Sequence, residues 1–528
     1  MVSKKEAVFG EYEKAKSQKE ALGEKGLYEQ TKINARFYSG NQWYGANCGN
    51  DRPLVRHNII KRIGDFKMSQ ILSGRYDVSY FAGEAEDTGA KKSLRAEIKE
   101  AKTAFSGEVG GKEAGVVCRA LSAYFKQCAK RLDLDSLSAE VLKRAYIGGC
   151  GVLYTYFDSE ADTGMSLYGN KIRGDIACEV LDVRDVYFAD KDETDVQAQP
   201  YIIIAAKKDK QAVLRQAHAF GTENALKNLK ADDDGKVLVL TKLYKEYKKD
   251  GAAVFCVKVT EDGVLRPDFD TKLHYYPLCA FRFDELDGGA YGESEVTYLI
   301  PNQIAVNRMI TASVWSNIAS GMPMMIVNGD TVSGEITNDP GQIIKIFGTN
   351  EDVAGAVKYV SPPDYSAAFN AAVNNLIENT LTQCGASPSA LGDERAQNAS
   401  AITRLQTAAL MPINVLKSRY REFLVQNAKI WADFWLGLYG DRKIRIEDES
   451  GVWFFPFDAQ RYAGISIGAA VGTGEPETFT ATEKTAVLGE LYDKGIITAK
   501  QYVSRLPDAL LSGKQEIING MKEKENED

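Results

Sequence analysis

Residues 291–323 read YGESEVTYLIPNQIAVNRMITASVWSNIASGMP and open the region on which the fold prediction rests. Apolar side chains recur in it at spacings of three and four, which predicts a helix that ends at Gly321-Met322-Pro323. Pro301 lies inside the pattern, so either a short first turn kinks there or the main helix begins there. A second helical pattern follows from Phe369 to Cys384.

Short strand-like segments separated by Gly, Asp and Asn turns lie between the two helices: Met324–Val327, Ile343–Phe347 and Val357–Val360. Ser361-Pro362-Pro363-Asp364 closes this insert and caps the second helix. Two helices around a small β insert predict a stalk that carries a head. The charged residues of the head are mainly acidic: Asp330, Glu335, Asp339, Glu351, Asp352, Lys345 and Lys358.

A third and longer helix is predicted from Ala401 to Leu438, after the small-residue loop Gly385–Gly392 and a polar run. Its apolar stripe has spacings of three or four throughout: Ile402, Leu405, Ala409, Ile413, Leu416, Tyr420, Phe423, Asn427, Trp431, Phe434 and Leu438. Pro412 lies inside and predicts a kink or break. Basic and aromatic residues alternate here, as in some nucleic-acid sites, but the aromatic residues fall on the apolar stripe, which favours a core role.

The rest of the chain predicts a mixed α/β body followed by short helices. Expected helices are 4–38, 58–72, two within 116–147, and 211–229; residues 83–115 form either a flexible insertion or a frayed helix. Expected strands are 77–81, 152–157, 176–180, 186–188, 201–205, 237–247, 252–259, 278–283, 444–447 and 452–455. Residues 474–525 predict a few short helices. The predicted class is therefore α+β, mainly helical.

Composition limits the possible functions. The chain has 528 residues, 44% of them hydrophobic, which is enough for two or more cores. The net charge of −8 disfavours a protein that grips nucleic acid over its whole surface, because phosphate binding depends on Lys and Arg. It does not disfavour a protein through which nucleic acid only passes. Eight scattered cysteines without a CxxC pair, a charged N-terminal helix and no run of about 20 apolar residues predict a soluble intracellular protein.

Motifs that carry chemistry are weak in this sequence. Gly107–Lys112 is glycine-rich but lacks the spacing of a phosphate-binding loop. Gly464–Gly468 matches Gly-x-Ser-x-Gly around Ser466, yet a hydrolase needs its histidine later in the chain. The histidines all precede it and lie far apart: His57, His218 and His274. We therefore expect no catalytic residue, no cofactor and no metal, and a structural or binding role.

Several short motifs occur in a consistent order between about residue 27 and residue 440. They are Ala35–Trp43 (ARFYSGNQW) with Arg52-Pro53, Ala177–Phe188 (ACEVLDVRDVYF), Tyr275-Tyr276-Pro277, Tyr291–Glu295 (YGESE) with Gln303 and Asn307, and Gly385–Leu391 followed by Asn398–Ile402 (NASAI). In this order the chain resembles the portal, or head–tail connector, proteins of tailed double-stranded DNA bacteriophages. Residues 84–115 and the C-terminal helices carry no motif of that family.

The resemblance implies a portal-like fold and a ring of roughly a dozen identical subunits at one capsid vertex. The implied parts are an α+β wing (1–290), a stem helix (291–321), a small α/β clip (322–363), a second stem helix (364–385), a channel or tunnel loop (386–400), a long kinked helix with wing strands (401–473) and a helical crown (474–528). The implied locations are the capsid portal vertex of the virion and, during assembly, the host cytoplasm.

The implied role is a conduit for DNA packaging and ejection that has no catalysis of its own. The implied partners are other copies of the chain, the terminase large subunit, head–tail connector or adaptor proteins, major capsid and scaffold proteins, and translocating double-stranded DNA, with no membrane. Candidate channel residues are Arg395, Arg404 and Lys417. Candidate docking residues on the clip are Asp330, Glu335, Lys345, Glu351 and Lys358, and Pro412 is the expected helix kink.

Two other functions stay open from the sequence. One is another structural or tail-adaptor protein of the virion, and the other is an enzyme that processes nucleic acid. The absence of a phosphate loop and of clustered metal-ligating residues disfavours the enzyme.

Overall fold

The structure is a computed structural model of the chain. It describes residues 3–45, 54–82, 111–167, 170–248, 251–285, 289–321, 324–327, 332–333, 345–347, 357–360, 367–386, 410–448, 451–462, 465, 467–473, 481–495 and 497–506. With about 50% helix and 28% strand, the structure is mixed α/β and is consistent with the predicted α+β class. Within the described ranges, none of the helices is long and apolar enough to cross a membrane.

The helices of the described residues are as follows: α1 (Lys4–Glu20), α2 (Leu27–Tyr38), α3 (Ile59–Leu72), α4 (Gly111–Arg131), α5 (Leu134–Gly148), α6 (Lys210–Phe220), α7 (Glu295–Gly321), α8 (Ala367–Gln383), α9 (Ile413–Leu438), α10 (Ala459–Tyr462), α11 (Ala481–Asp493) and α12 (Ala499–Arg505). Short 3₁₀ turns lie at Val183–Asp185 and Glu223–Leu226.

The strands are β1 (Tyr76–Ala82), β2 (Cys150–Leu167), β3 (Asn170–Asp182), β4 (Val186–Phe188), β5 (Tyr201–Asp209), β6 (Lys236–Lys248), β7 (Gly251–Thr260), β8 (Val264–Asp270), β9 (Leu278–Arg282), β10 (Met324–Val327), β11 (Val332–Ser333), β12 (Lys345–Ile346), β13 (Val357–Val360), β14 (Asp441–Asp448), β15 (Gly451–Asp458) and β16 (Ile467–Thr473). The larger sheets have the orders β4-β5-β6-β7-β8 and β3-β2-β9, and the pairs are β1-β16, β10-β13, β11-β12 and β14-β15.

The chain divides into two compact units. The first comprises Met1–Ser73 and Val78–Val471, and the second comprises Gly74–Asp77 and Gly472–Asp528. In the second unit, Thr498 begins α12 with a capping box that it shares with Gln501. The rings of Tyr492 and Tyr502 lie 5.3 Å apart and join α11 to α12. The predicted short C-terminal helices are confirmed for the described part of this unit.

The core of the first unit is built around α9. Trp431 and Trp435 are fully buried, and the ring of Trp431 packs at a tilt against that of Phe125 in α4, with ring centres 4.8 Å apart. Phe423, about two turns earlier in α9, meets the ring of Phe281 in β9 edge to face. Residues three and four apart share one face of a helix, so the apolar stripe predicted from the sequence is the face that packs here.

Helix α1 covers one face of the five-stranded sheet. Val8, Tyr12 and Ala15 pack with buried side chains of β4 to β7. At its end the fully buried Lys19 donates to the carbonyl of Val183 at 2.6 Å, and its ammonium lies 3.8 Å from the centre of the Tyr187 ring. Burial lowers the pKa of Lys19. The buried amine therefore fastens the end of α1 to the sheet.

The structure corrects several predicted boundaries. The helix expected over 4–38 is two helices, because Gly26 at φ +75° begins α2, where a Cβ would lie 2.6 Å from the carbonyl oxygen of Glu20. The helix expected over 211–229 ends at Phe220, where the chain turns and the Thr222 hydroxyl donates to Leu265. Helix α7 begins at Glu295 and continues through Pro301, which is neither its start nor a break.

Candidate functional site

The two helices of the predicted stalk form an antiparallel pair. Asn302 of α7 donates to the hydroxyl of Thr380 in α8 at 3.3 Å. Beyond the far ends of these helices, β10 pairs antiparallel with β13, Met324 opposite Val360, and a second ribbon pairs β11 with β12. The chain therefore leaves the body along α7, forms short ribbons and returns along α8.

A buried amide network fixes α7 to the body. The side-chain oxygen of Gln303 accepts the backbone N–H of Ile59 at 2.9 Å, and that of Asn307 accepts the N–H of His57 at 3.0 Å. The Asn307 amide in turn donates to Gln42 at 2.6 Å. One turn further, the Thr311 hydroxyl accepts the N–H of Val55 at 3.1 Å. Because residues 303, 307 and 311 are spaced by four, one face of α7 orders the whole segment before α3.

The segment that leads into α7 packs backbone against backbone. Gly292 has φ +64°, and a Cβ there would lie 2.8 Å from the carbonyl oxygen of Gly149 and 2.9 Å from that of Asp284. Ser294 donates its hydroxyl to the carbonyl of Tyr146 at 2.6 Å, and the Tyr291 hydroxyl accepts the N–H of Phe188 at 2.9 Å. The YGESE motif therefore anchors the start of the stalk, and glycine is required at its second position.

A buried ion pair joins α3 to the start of α7, and Cys384, just after α8, lies beside it. Lys67 of α3 bonds to Glu295, the first residue of α7. Burial raises the pKa of Glu295, and the neighbouring lysine opposes that rise. Burial and the same carboxylate raise the pKa of Cys384, just after α8, to about 12. Both ends of the stalk thus share one low-dielectric site in the body.

Helix α9 is tied to the body by side chains that the sequence did not single out. Both oxygens of Asp433, which is buried, accept hydrogen bonds from His274, one from its backbone N–H and one from Nδ1. The same carboxylate accepts the N–H of Tyr275 at 3.0 Å. Arg419 donates to the carbonyl of Phe283 at 2.7 Å. A structural role for His274, which the sequence favoured, fits this arrangement.

The other candidates for chemistry are placed as follows. His218 pairs with Glu223 at the exposed surface, and His57 is exposed with its backbone bound by Asn307. Ser466 and residues 107–110 lie outside the described residues. Among those that the structure does describe, no group of three or more His, Cys, Asp or Glu side chains is arranged to hold a metal ion.

The predicted channel and docking residues are only partly described. Lys417 is half-buried in α9, where burial lowers its pKa and Arg421, one turn along, lowers it further. Lys345 and Lys358 belong to β12 and β13 of the head. Pro412 immediately precedes α9 with φ −61° and ψ −26°. The other predicted site residues lie outside the described residues: Arg395, Arg404, Asp330, Glu335 and Glu351. These assignments stay predictions.

Sequence reasoning named Gln303, Asn307 and Gln42 but did not show that they meet. The only signal was the spacing of four between the two polar residues on an otherwise apolar helix. Such a pair marks a polar line on one face. Its partner, the backbone of the segment before α3, lies about 250 positions away and carries no pattern of its own.

Comparison with known families agrees with this geometry. The family model described as Phage P22-like portal protein matches residues 207–461, which include the stalk, the ribbons of the head and α9. This match supports a tailed-phage portal protein family and confirms the family that the ordered sequence motifs indicated. Portal proteins are structural rather than catalytic. A search of curated proteins finds no match to this chain.

Proposed function

We propose that this protein forms a ring at one capsid vertex and serves as the conduit for DNA packaging and ejection, without catalysis of its own. The supporting observation is the surface of the α7–α8 hairpin, which lies inside the family-matched segment. The 27 residues of α7 contain only Glu295 and Arg308 as charged side chains, and the 17 residues of α8 contain only Glu378.

A helix that carries so few charged side chains is normally covered by other elements. In the isolated chain, however, residues 309–314 of α7 are only partly buried, and Trp315 and Ile318 are exposed. Lateral contact with the same hairpin of neighbouring copies would cover these side chains without placing like charges together. A contact between two different faces of identical subunits closes into a ring when the rotation allows it. Roughly a dozen subunits is the number that the family resemblance implies.

The head, or clip, comprises residues 322–363 in this proposal and docks the terminase large subunit and later the head–tail connector or adaptor proteins. Its described strands form two-stranded ribbons, which are marginally stable alone in water. Contact with neighbours and partners would stabilise them. Docking would use the charged residues Asp330, Glu335, Lys345, Glu351 and Lys358.

The remaining parts follow the same organisation. Residues 1–290 with the strands after α9 form the wing that meets capsid and scaffold proteins, and 474–528 form the crown. Residues 386–400 form the channel loop, beside a helix that Pro412 kinks. Arg395, Arg404 and Lys417 are the proposed residues near the DNA. A net charge of −8 suits passage of DNA, because few fixed cations are available to bind phosphates and stall it.

Electron microscopy of negatively stained full-length protein tests the proposal. We expect annular particles with a central hole, and their rotational symmetry gives the number of subunits. A chain that stays monomeric at every concentration, and that also fails to assemble with scaffold or capsid protein, overturns the proposal. Deletion of residues 322–363 separates the roles: we expect rings to form while terminase docking is lost.

A further inference from the structure

Four exposed cations lie around the amide network at the base of the stalk. They are Arg56 before α3, Lys61 and Arg62 in its first turn, and Arg308 of α7, and we call them the basic cluster. In the part of the chain that the structure describes, none of them forms an ion pair. Four unpaired cations on adjoining elements repel one another, and binding of an anionic partner would reduce this repulsion.

The backbone that carries the basic cluster is rigidly placed. Arg56 lies between Val55, whose N–H is bound by Thr311, and His57, whose N–H is bound by Asn307. The backbone of Arg56 therefore runs along the face of α7 that carries Asn307 and Thr311, and Arg308 is the next residue of that helix after Asn307. The Asn58 side chain accepts the N–H of Lys61 at 3.0 Å and so fixes the first turn of α3. Ordering of this kind reduces the entropic cost of binding a partner.

The same chain presents a second ordered loop of opposite charge. Residues 190–195 contain Asp190, Asp192, Glu193 and Asp195 against the single cation Lys191, and we call them the acidic loop. Gln199 donates to the carbonyls of residues 190 and 193 at 2.8 and 2.9 Å and holds the loop in shape. No described ion pair joins the acidic loop to the basic cluster within one chain.

Both charged features adjoin the stalk. The acidic loop is tied to the segment that leads into α7, since Ala290 donates its N–H to the carbonyl of Lys191 at 2.8 Å. The basic cluster lies along α7 itself, next to residues 303–311. Two complementary surfaces at the base of one helix are what a head-to-tail contact between identical subunits requires.

We propose that the basic cluster of one copy docks on the acidic loop of the next, and that this charge contact sets the register of neighbouring stalks. The proposal rests on the ring proposed above and assigns residues to its interface. The contact is continuous with the half-exposed, nearly uncharged surface of α7, which would provide the apolar part of the same interface. Charged residues at the rim of such an interface mainly determine how the two subunits are oriented and how fast they associate.

A protein surface fits the basic cluster better than the phosphates of DNA. Binding to DNA normally uses a longer basic face, and the chain as a whole is acidic, with a net charge of −8. The acidic loop is also comparable to the cluster in charge, with four carboxylates and one lysine against four cations. DNA binding is therefore the competing outcome that the experiment must detect.

Two charge-reversed full-length proteins test the contact. In R56E/K61E/R62E/R308E the basic cluster becomes acidic, and in D190K/D192K the acidic loop becomes basic. Each alone should need at least about tenfold more protein to associate than wild type, as measured by sedimentation velocity at low salt. Mixed together they should associate again, because each variant presents to the other a complementary pair. The control pair Lys227→Glu and Asp233→Lys reverses exposed charges elsewhere and should associate as wild type does.

The results separate this contact from the ring. Recovery on mixing supports the contact whether or not the assemblies are annular, whereas the absence of annular wild-type particles bears on the proposed function alone. Variants that associate as wild type does overturn the contact. Normal association of R56E/K61E/R62E/R308E together with loss of salt-sensitive binding to a 30-base-pair DNA duplex also overturns it, and shows that the cluster binds phosphates. Circular dichroism of each variant verifies folding.

Discussion

Asn307 binds the backbone of His57, accepting its N–H at 3.0 Å across 250 positions of sequence. The bond joins the first helix of the stalk to the segment before α3, and the same side chain donates to Gln42. The side chains of Asn307 and Gln42 are buried, so water cannot readily replace a lost partner there. The base of the stalk is therefore held by polar contacts that depend on one another.

Asn307→Ala should destabilise the first unit. The substitution leaves the N–H of His57 and the amide of Gln42 without their partner, and an unsatisfied buried polar group costs about 1–3 kcal/mol. Urea denaturation followed by tryptophan fluorescence gives the change in the free energy of unfolding. Asn317→Ala changes an exposed asparagine of the same helix and should alter it by less than about 0.5 kcal/mol. Equal changes in the free energy of unfolding for the two variants would show that the buried network stabilises the fold no more than an exposed asparagine does.

Gly292→Ala should be strongly destabilising. Alanine at φ +64° is strained, and its methyl group would meet the carbonyl oxygens of Gly149 and Asp284 below 3 Å. We expect a loss of about 2–4 kcal/mol in the free energy of unfolding. Gly10→Ala in α1, where a Cβ meets nothing within 4 Å, should instead stabilise by about 0.5–1 kcal/mol. A well-folded Gly292→Ala protein of normal stability would contradict the close packing described.

Glu295→Gln should change the pH dependence of stability. Burial raises the pKa of Glu295 above the usual 4.5, so the native protein holds this proton more firmly than the unfolded chain does. The stabilisation from this group is complete below pH 4.5 and is lost as the pH rises through the raised native pKa. As the pH rises from 4.5 through the raised native pKa, wild type should therefore lose more stability than Glu295→Gln does.

Urea titrations at several pH values measure that difference. Glu378→Gln, which removes an exposed carboxylate of α8, is the control and should follow the wild-type profile. A Glu295→Gln profile parallel to that of wild type would exclude the buried carboxylate as the source of the pH dependence.

Ile318→Glu should prevent lateral assembly while the chain still folds. Ile318 is 42% exposed in the isolated protein, so a glutamate there costs little until a neighbour buries it. Burial of an unpaired charge in an interface is strongly unfavourable. Negative-stain images should show loss of annular particles, with unchanged circular dichroism. Leu214→Glu, on α6 and 38% exposed, is the matched control and should still assemble.

Pro412→Ala tests the predicted kink. Pro412 stands just before α9. Proline restricts the backbone conformation of the preceding residue and lacks a backbone N–H, and alanine removes both constraints. We expect the variant to fold but to assemble or package DNA poorly. In a packaging assay with the assembled particle, normal yield would show that the kink is incidental.

Periodic helices were predictable from the sequence to a large degree. The stripe on α9 and the polar pair Gln303 and Asn307 on α7 identify the faces that meet other elements, because helix geometry alone places residues three and four apart together. Asn58 as the start of α3 was equally predictable, and its side chain does cap Lys61.

Contacts between distant segments were not predictable in the same way. Lys67 and Glu295 lie 228 positions apart, and nothing in either local pattern identifies the other. Likewise, Asp433 lies near the apolar stripe of α9 as a single acid, without a sign that it binds the backbone of the loop before β9. Periodicity indicates which face is buried but does not indicate its partner.

The stalk leaves the body and returns to it at one place, because Glu295 at its start and Cys384 beyond its end adjoin the same lysine. Everything between them is in effect a closed insertion whose root is held by this ion pair and by the amide network on α7. Such an insertion can be exchanged as a cassette between related chains while the body stays unchanged, provided that the two helices keep their spacing at the root. Partner preference at the tip and the architecture of the body are then free to evolve separately.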